Sequence, residues 1–157
     1  MDSLFVTPFE ESVCDFFTTM LDCEIQRESA SDLQESLSSE PEVVATIKMD
    51  GWFSAVVELH LPDPTARALV NRLTGLEFEA VDASVLDGVA ESVNIIAGGA
   101  KARLASENRP PIDLGLPNVS QGVRNSGACV ATDKEIGLCF SSDLGPLSLR
   151  IKYASTL

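Results

Sequence analysis

The stretch Ala83-Ser84-Val85-Leu86-Asp87-Gly88-Val89-Ala90-Glu91-Ser92-Val93-Asn94-Ile95-Ile96-Ala97-Gly98-Gly99-Ala100-Lys101-Ala102-Arg103-Leu104 carries the longest helical pattern of the chain. At about 100° per residue, Val85, Leu86, Val89, Val93, Ile96, Ala97, Ala100 and Leu104 fall on one broad apolar stripe, the face that a helix buries against a core. The opposite side holds Asp87, Glu91, Asn94, Gly98 and Lys101, with Ala102 close by. Glu91 and Asn94 stand three residues apart, so their side chains project side by side. By itself a Glu-x-x-Asn pair in an acidic chain is a weak signal, because glutamates on polar helix faces chiefly confer solubility. Two features set this face apart from ordinary solvated surface. Gly98 and Gly99 each cost about 1 kcal/mol relative to alanine inside a helix, so something other than helix stability favours them. They serve either close packing of another helix or close approach of another protein's backbone. Asn94 is a modest helix former whose amide offers both an acceptor and two donors.

Outward from this helix the chain alternates helices and hairpins. Residues 43–49 and 52–61 are extended runs flanking Asp50-Gly51, a strong hairpin signal. Asp63-Pro64 restarts a helix through Ala66, Leu69, Val70 and Leu73, with Asp63 as cap and Gly75 as terminator. Near the start, Thr7 as cap, Pro8 in the first turn and Glu10 in a capping box predict a helix. It would bury Phe9, Val13, Phe16, Phe17 and Met20 and run to about Leu21. Residues 28–42 are rich in serine and glutamate and read as a solvated loop or a weak strand. Pro110-Pro111 forces an extended entry into residues 112–116. Residues 128–132, 136–140 and 147–153 read as strands separated by Asp133-Lys134 and by Asp143-Leu144-Gly145-Pro146. Segregated helices and hairpins predict an α+β fold, an antiparallel sheet with helices packed against it. The 157 residues fit one domain, 1–157, large enough for a real core without a cofactor to hold it together.

Charge narrows the partners. With 24 acidic against 11 basic residues and a net charge of −13, the chain repels nucleic acid phosphates and anionic membrane surfaces, and a protein partner is expected. No apolar run approaches the roughly 20 residues that cross a bilayer. The start, Met1-Asp2-Ser3-Leu4, lacks the basic and apolar regions of a secretion signal, so a cytoplasmic location is expected, with Cys14, Cys23, Cys129 and Cys139 as reduced thiols. No CxxC pair exists and His60 stands in a strand-like run far in sequence from any cysteine, so no metal site is expected in this chain. Trp52, His60 and Tyr153 read as packing residues.

The run 87–101 resembles the signature helix of the CheC/CheX/FliY phosphatase family, with its Glu-x-x-Asn, an apolar pair, a small residue, glycine, and a lysine after it. The order of Phe5-Val6-Thr7-Pro8-Phe9, the Asp50-Gly51 hairpin, the helix at 63–75 and Leu116-Pro117-Asn118-Val119 is similar to that of CheX members, and the single motif copy fits that branch. Gly99 departs from the asparagine common at this place in the family. The resemblance implies a phosphatase acting on the aspartyl phosphate of a CheY-like response regulator, in chemotaxis or two-component signalling. Asn94 would orient the attacking water and Glu91 would pair with the regulator's active-site lysine. Asp87, Gly98 and Lys101 would contact the partner. The divalent metal, magnesium, would sit on the regulator, and this chain would carry no cofactor of its own. A homodimer is also implied, with the strand at 147–153 either at a sheet edge or pairing across subunits. The alternative is a CheX-like module that binds the regulator without hydrolysis. A structural subunit of a motility assembly would need an appended segment for which these residues leave no room.

Overall fold

Alternating and helical hydrophobic periods resolve into the order α1 (Asp2–Asp15) continued by a π turn (Phe16–Met20), β1 (Ile25–Glu28), β2 (Pro41–Asp50), β3 (Phe53–Pro62), α2 (Asp63–Thr74), α3 (Ala83–Leu104), β4 (Asp113–Leu114), β5 (Asn118–Val123), β6 (Lys134–Ser142) and β7 (Leu147–Ser155). This is the order in a computed structural model that describes residues 2–28, 41–123 and 134–155. Most of the serine- and glutamate-rich segment, residues 29–40, and the expected strand at 128–132 lie outside the described residues.

The strands form one seven-stranded antiparallel sheet in the order β1-β6-β7-β3-β2-β4, with β5 also paired to β2. The register aligns Ile47, Val57, Ile151 and Ile136 in one row across four strands. All four are buried. Side chains of this parity join the apolar stripes of the three helices in a single core. The expected α+β architecture, with helices on an antiparallel sheet, is the one observed.

Local signals gave way to tertiary contacts in several places. Asp50-Gly51 joins β2 to β3, but Asp50 stands opposite Ser54, so the bend holds Gly51, Trp52 and the start of β3, where the Gly51 N–H donates to Phe53 O at 2.9 Å. Gly51 has no positive φ and is required for space: a Cβ there would lie 2.7 Å from Pro111 O. α1 starts at Asp2 rather than at Thr7, and Pro8 lies inside it. Phe5 explains this, because its ring is fully buried with centroids 4.9 Å from Phe53 and 4.6 Å from Tyr153, which fixes the turn before the proline. The π turn widens the helix so that Phe16, Phe17 and Leu21 are all buried while Met20 is turned outward, 48% exposed. Asp63 sits in the first turn of α2 without a side-chain capping bond and accepts instead from Gln121 Nε2 at 2.9 Å. Gly75 ends α2 at φ 74, as predicted. β7 is not an edge strand, since it is paired to β3 on one side and β6 on the other. Satisfied on both sides, it has no free ladder to offer a second subunit. β1 and β5 are short strands that sequence periodicity did not single out.

The sheet face away from the helices carries a charged ladder. His60 Nδ1 lies 3.1 Å from Glu42 Oε1 and its Nε2 lies 3.0 Å from Glu58 Oε1, while Lys152 Nζ reaches Glu58 Oε2 at 3.3 Å. Glu58 and His60 are both buried. Burial opposes the imidazolium, but hydrogen bonds and the charges of Glu42 and Glu58 outweigh it and raise His60 above its ordinary 6.5. The hydrogen bond to His60 holds Glu58 below its ordinary 4.5, against burial and helped by Lys152. His60 therefore stabilises the fold fully below pH 6.5 and loses this as pH rises through its raised value, whereas Glu58 does so above pH 4.5 and loses it as pH falls. The urea midpoint is expected to be highest between pH 4.5 and 6.5, and the decline above that window to flatten in His60→Gln. A decline of equal size in the variant would show that the ladder does not set it.

Candidate functional site

The site helix α3 begins at a built cap. Asp82 is extended, and its carboxylate accepts from the Val85 N–H at 3.1 Å, which satisfies one of the open donors of the first turn. Seven of the eight stripe residues are buried, Val85, Val89, Val93, Ile96, Ala97, Ala100 and Leu104, with Leu86 only partly so. This fixes the rotation of the helix about its axis. The face carrying Asp87, Glu91, Asn94, Gly98 and Lys101 points outward: Asp87 and Glu91 are exposed, and Asn94, Gly98 and Lys101 are half-buried.

Two neighbours set the height of α3 above the sheet. Ser12 of α1 is buried and donates to Ile96 O at 2.6 Å. A Cβ on Gly99 would collide with that same Ser12 hydroxyl, so Gly99 is the point where α1 crosses close to α3. On the other flank a Cβ on Gly88 would come 2.7 Å from Val70 Cγ2 of α2. Gly98 differs from both, since a Cβ there would meet nothing within 4 Å. The two readings left open by the sequence thus divide: Gly99 serves helix packing, and nothing inside the described fold requires Gly98 to be glycine.

Among the described residues, the side chains of Glu91, Asn94, Asp87 and Lys101 make no hydrogen bond or ion pair within the chain. An exposed carboxylate and an amide with all its donors and acceptors free stand one turn apart on a helix held from both sides. Glu91 can pair with a cation of a partner, and the Asn94 amide can hold a water or a polar group. No group of three or more His, Cys, Asp or Glu side chains able to hold a metal exists among the described residues. Cys14 and Cys23 are free thiols, Cys139 is buried, and Cys129 lies outside the described residues. Burial, then the carboxylates of Glu10, Asp15 and Glu11, push the Cys14 thiol up, which makes it a poor nucleophile.

Two constellations escaped the sequence reading. One is the His60 ladder, whose members come from β2, β3 and β7 and meet only through strand register. The other lies past the end of α3, where the Arg109 guanidinium stacks 4.0 Å from the centroid of Trp52. Trp52 is a packing residue, as expected, against Phe5 and Phe53. One face of its ring, however, supports a cation.

No helix of the described residues is long and apolar enough to cross a membrane. A search of the curated proteins returned no match. Among solved structures, the fold is similar to the chemotaxis protein CheX of Vibrio vulnificus, with 22% identity, a TM-score of 0.78 and 95% of each chain covered. It is similar also to a CheX of Desulfovibrio desulfuricans, at 18% identity and a TM-score of 0.78 over 95% of this chain and 98% of that one. A CheX–CheY–BeF3–Mg2+ complex from Borrelia burgdorferi matches with 16% identity and a TM-score of 0.66 over 96% and 97% of the two chains. These likenesses establish the fold. Residues 43–141, more than half of the chain and including all of α3, match the family model of the chemotaxis phosphatase CheX, and the chain therefore belongs to the CheX family.

Proposed function

We propose that this chain hydrolyses the aspartyl phosphate of a CheY-like response regulator, with Asn94 orienting the attacking water and Glu91 pairing with the regulator's active-site lysine. The observation that carries the reading is the free amide of Asn94 beside the free carboxylate of Glu91 on the open face of a helix whose other faces are fixed. The Borrelia relative, of the same fold, is seen in complex with a CheY, BeF3 and Mg2+, which supports a regulator as partner.

In the reaction a water oxygen forms a bond to phosphorus as the bond from phosphorus to the carboxylate oxygen breaks. Inorganic phosphate leaves, the aspartate carboxylate is restored, and the water's protons pass to phosphate and solvent. The regulator's own metal and lysine meet the phosphoryl charge. What this chain supplies is alignment, the larger part of phosphoryl-transfer catalysis. An uncharged amide accepts from the water and directs its lone pair in line without titrating near neutral pH, so Asn94 is not a general base. Glu91 sets docking register more than net affinity, because desolvation offsets much of the attraction in a closed ion pair. Asp87, Gly98 and Lys101 complete the contact along the same stripe. The homodimer implied by the resemblance is also proposed, but through a surface other than β7, which is paired on both sides.

The test follows loss of phosphate from a phosphorylated receiver domain. Asn94→Ala is expected to lower kcat about 100-fold while binding the receiver as wild type does, and Glu91→Ala to weaken binding as well. Wild type that binds the receiver yet leaves its phosphate lifetime unchanged would make the chain a binding module on this fold.

Gly98 gives an independent check. Gly98→Ala meets open space in the free protein, so it is expected to stabilise the fold by about 0.5–1 kcal/mol in urea titrations. If a partner backbone passes over this point, the same change slows dephosphorylation. A variant that is both more stable and fully active would remove Gly98 from the contact.

A further inference from the structure

The stripe that carries Glu91 and Asn94 does not end with the helix. From Asn94 to Lys101 is seven residues, about 10.5 Å along the axis and nearly two full turns, so Lys101 stands almost directly in line with Asn94. Beyond it opens a cleft of about 410 Å³, whose walls include Lys101, Ala105, Ser106, Arg109, Pro110 and Ile112. A second hollow of about 320 Å³ shares Ala105, Ser106 and Arg109 with it and reaches Trp52. Trp52 is the only tryptophan in the chain.

The charges around this cleft run against the rest of the molecule. The chain carries a net charge of −13. Three basic residues nonetheless gather at the end of α3, and they differ in what they do. Arg103 is used internally, donating to Glu11, Asp15 and Gly99 O. Lys101 and Arg109 pair with no carboxylate among the described residues. One carboxylate, Glu107, also lines the cleft, against these two cations. Arg109 is held in place without being neutralised: its guanidinium carbon lies over the Trp52 ring, and its backbone N–H donates to Ser106 O at 3.2 Å. A guanidinium stacked in this way keeps its N–H fork free for a planar, bidentate acceptor, and less freedom is lost when one arrives.

We infer that the cleft beyond the end of α3 is a second docking point for the response regulator, where Lys101 and Arg109 receive an acidic side chain of the regulator whose apolar neighbour enters the hollow over Pro110 and Ile112. This rests on the reading of α3 as the regulator-facing helix. Size supports it. A specific interface covers roughly 800 Å² per partner, on the order of 30 Å across, so a partner centred on Asn94 reaches the mouth of a cleft that begins at Lys101, about 10.5 Å along the axis. Charge supports it too, since two cations that no carboxylate of the described fold neutralises offer an acidic side chain a favourable landing point on a chain of net charge −13. The cleft then acts on partner choice and docking, and Arg109 is a specificity-determining residue rather than a catalytic one.

The test uses the full chain and a tryptophan-free CheY-type receiver domain loaded with Mg2+ and beryllofluoride, followed through Trp52 emission and through binding at low and high salt. Wild type is expected to show a saturable change in Trp52 emission, because the ring supports the cation that the partner engages. Arg109→Gln is expected to weaken binding about tenfold and to reduce its salt dependence. Lys101→Gln, whose side chain has no partner inside the described fold, is expected to weaken it in the same direction and guards against a folding defect in the first variant. Both variants binding within twofold of wild type, or saturation of the receiver with no change in emission, would overturn the inference, as would a wild type that binds no receiver. If the cleft variants bind weakly while wild type leaves the phosphate lifetime of a phosphorylated receiver unchanged, the docking point stands and the phosphatase reading falls.

Discussion

The crossing of α1 over α3 is the constraint on which the site depends. At that point Gly99 removes the side chain that would hold the helices apart, and Ser12 uses the space to donate its hydroxyl to Ile96 O at 2.6 Å. A buried hydroxyl without an acceptor costs about 1–3 kcal/mol, so this bond and the absent Cβ act together to set one depth and one rotation for α3. Gly88 against Val70 does the same on the opposite flank. With the helix fixed between two others and on the sheet, Glu91 and Asn94 are left on the one face that nothing in the described fold covers.

That division of labour gives Gly99 a physical meaning. The resemblance to the CheC/CheX/FliY family marks it as a departure, glycine where asparagine is common, and the sequence leaves open whether it serves helix packing or a partner's approach. It belongs instead to the packed side of α3, where the hydroxyl of Ser12 occupies the space of any larger residue. Gly98, its neighbour, is the glycine without an internal reason. Two adjacent glycines inside one helix thus answer to different demands, one to the fold and one to what approaches the fold.

Much of this was legible in the sequence because it is periodic or local. The stripe of α3, its bounds Ala83–Leu104, the stop of α2 at Gly75 and the strand parity of β3 and β7 follow from spacing, and the structure keeps them. The same period sets Asp87, Glu91, Asn94, Gly98 and Lys101 on the face opposite the stripe, and they lie there. What failed was long-range. Thr7-Pro8 reads as a helix start, yet Phe5 gains more from the ring cluster with Phe53 and Tyr153 than the helix loses by enclosing a proline. Asp50-Gly51 reads as a two-residue turn, yet the approach of Pro111 moves the bend onto Trp52. β7 reads as a strand either at an edge or pairing across subunits because its alternation is clean, whereas clean alternation belongs to any strand of a sheet with one solvated face. The His60 ladder and the Arg109–Trp52 stack join residues from separate elements, so only register and tertiary packing bring them together.

An amide that aligns water and a carboxylate that removes its proton differ by a single atom, so the role of Asn94 is most directly tested by Asn94→Asp. The measurement is the single-turnover lifetime of aspartyl phosphate on a receiver domain saturated with each protein, across pH 6 to 9. If Asn94 acts by position, wild type shortens the lifetime with no titration of its own, and Asn94→Asp loses that effect because its charge repels the phosphoryl group. An Asn94→Asp protein as fast as wild type, or a wild type that leaves the lifetime unchanged, would contradict a phosphatase built on this helix.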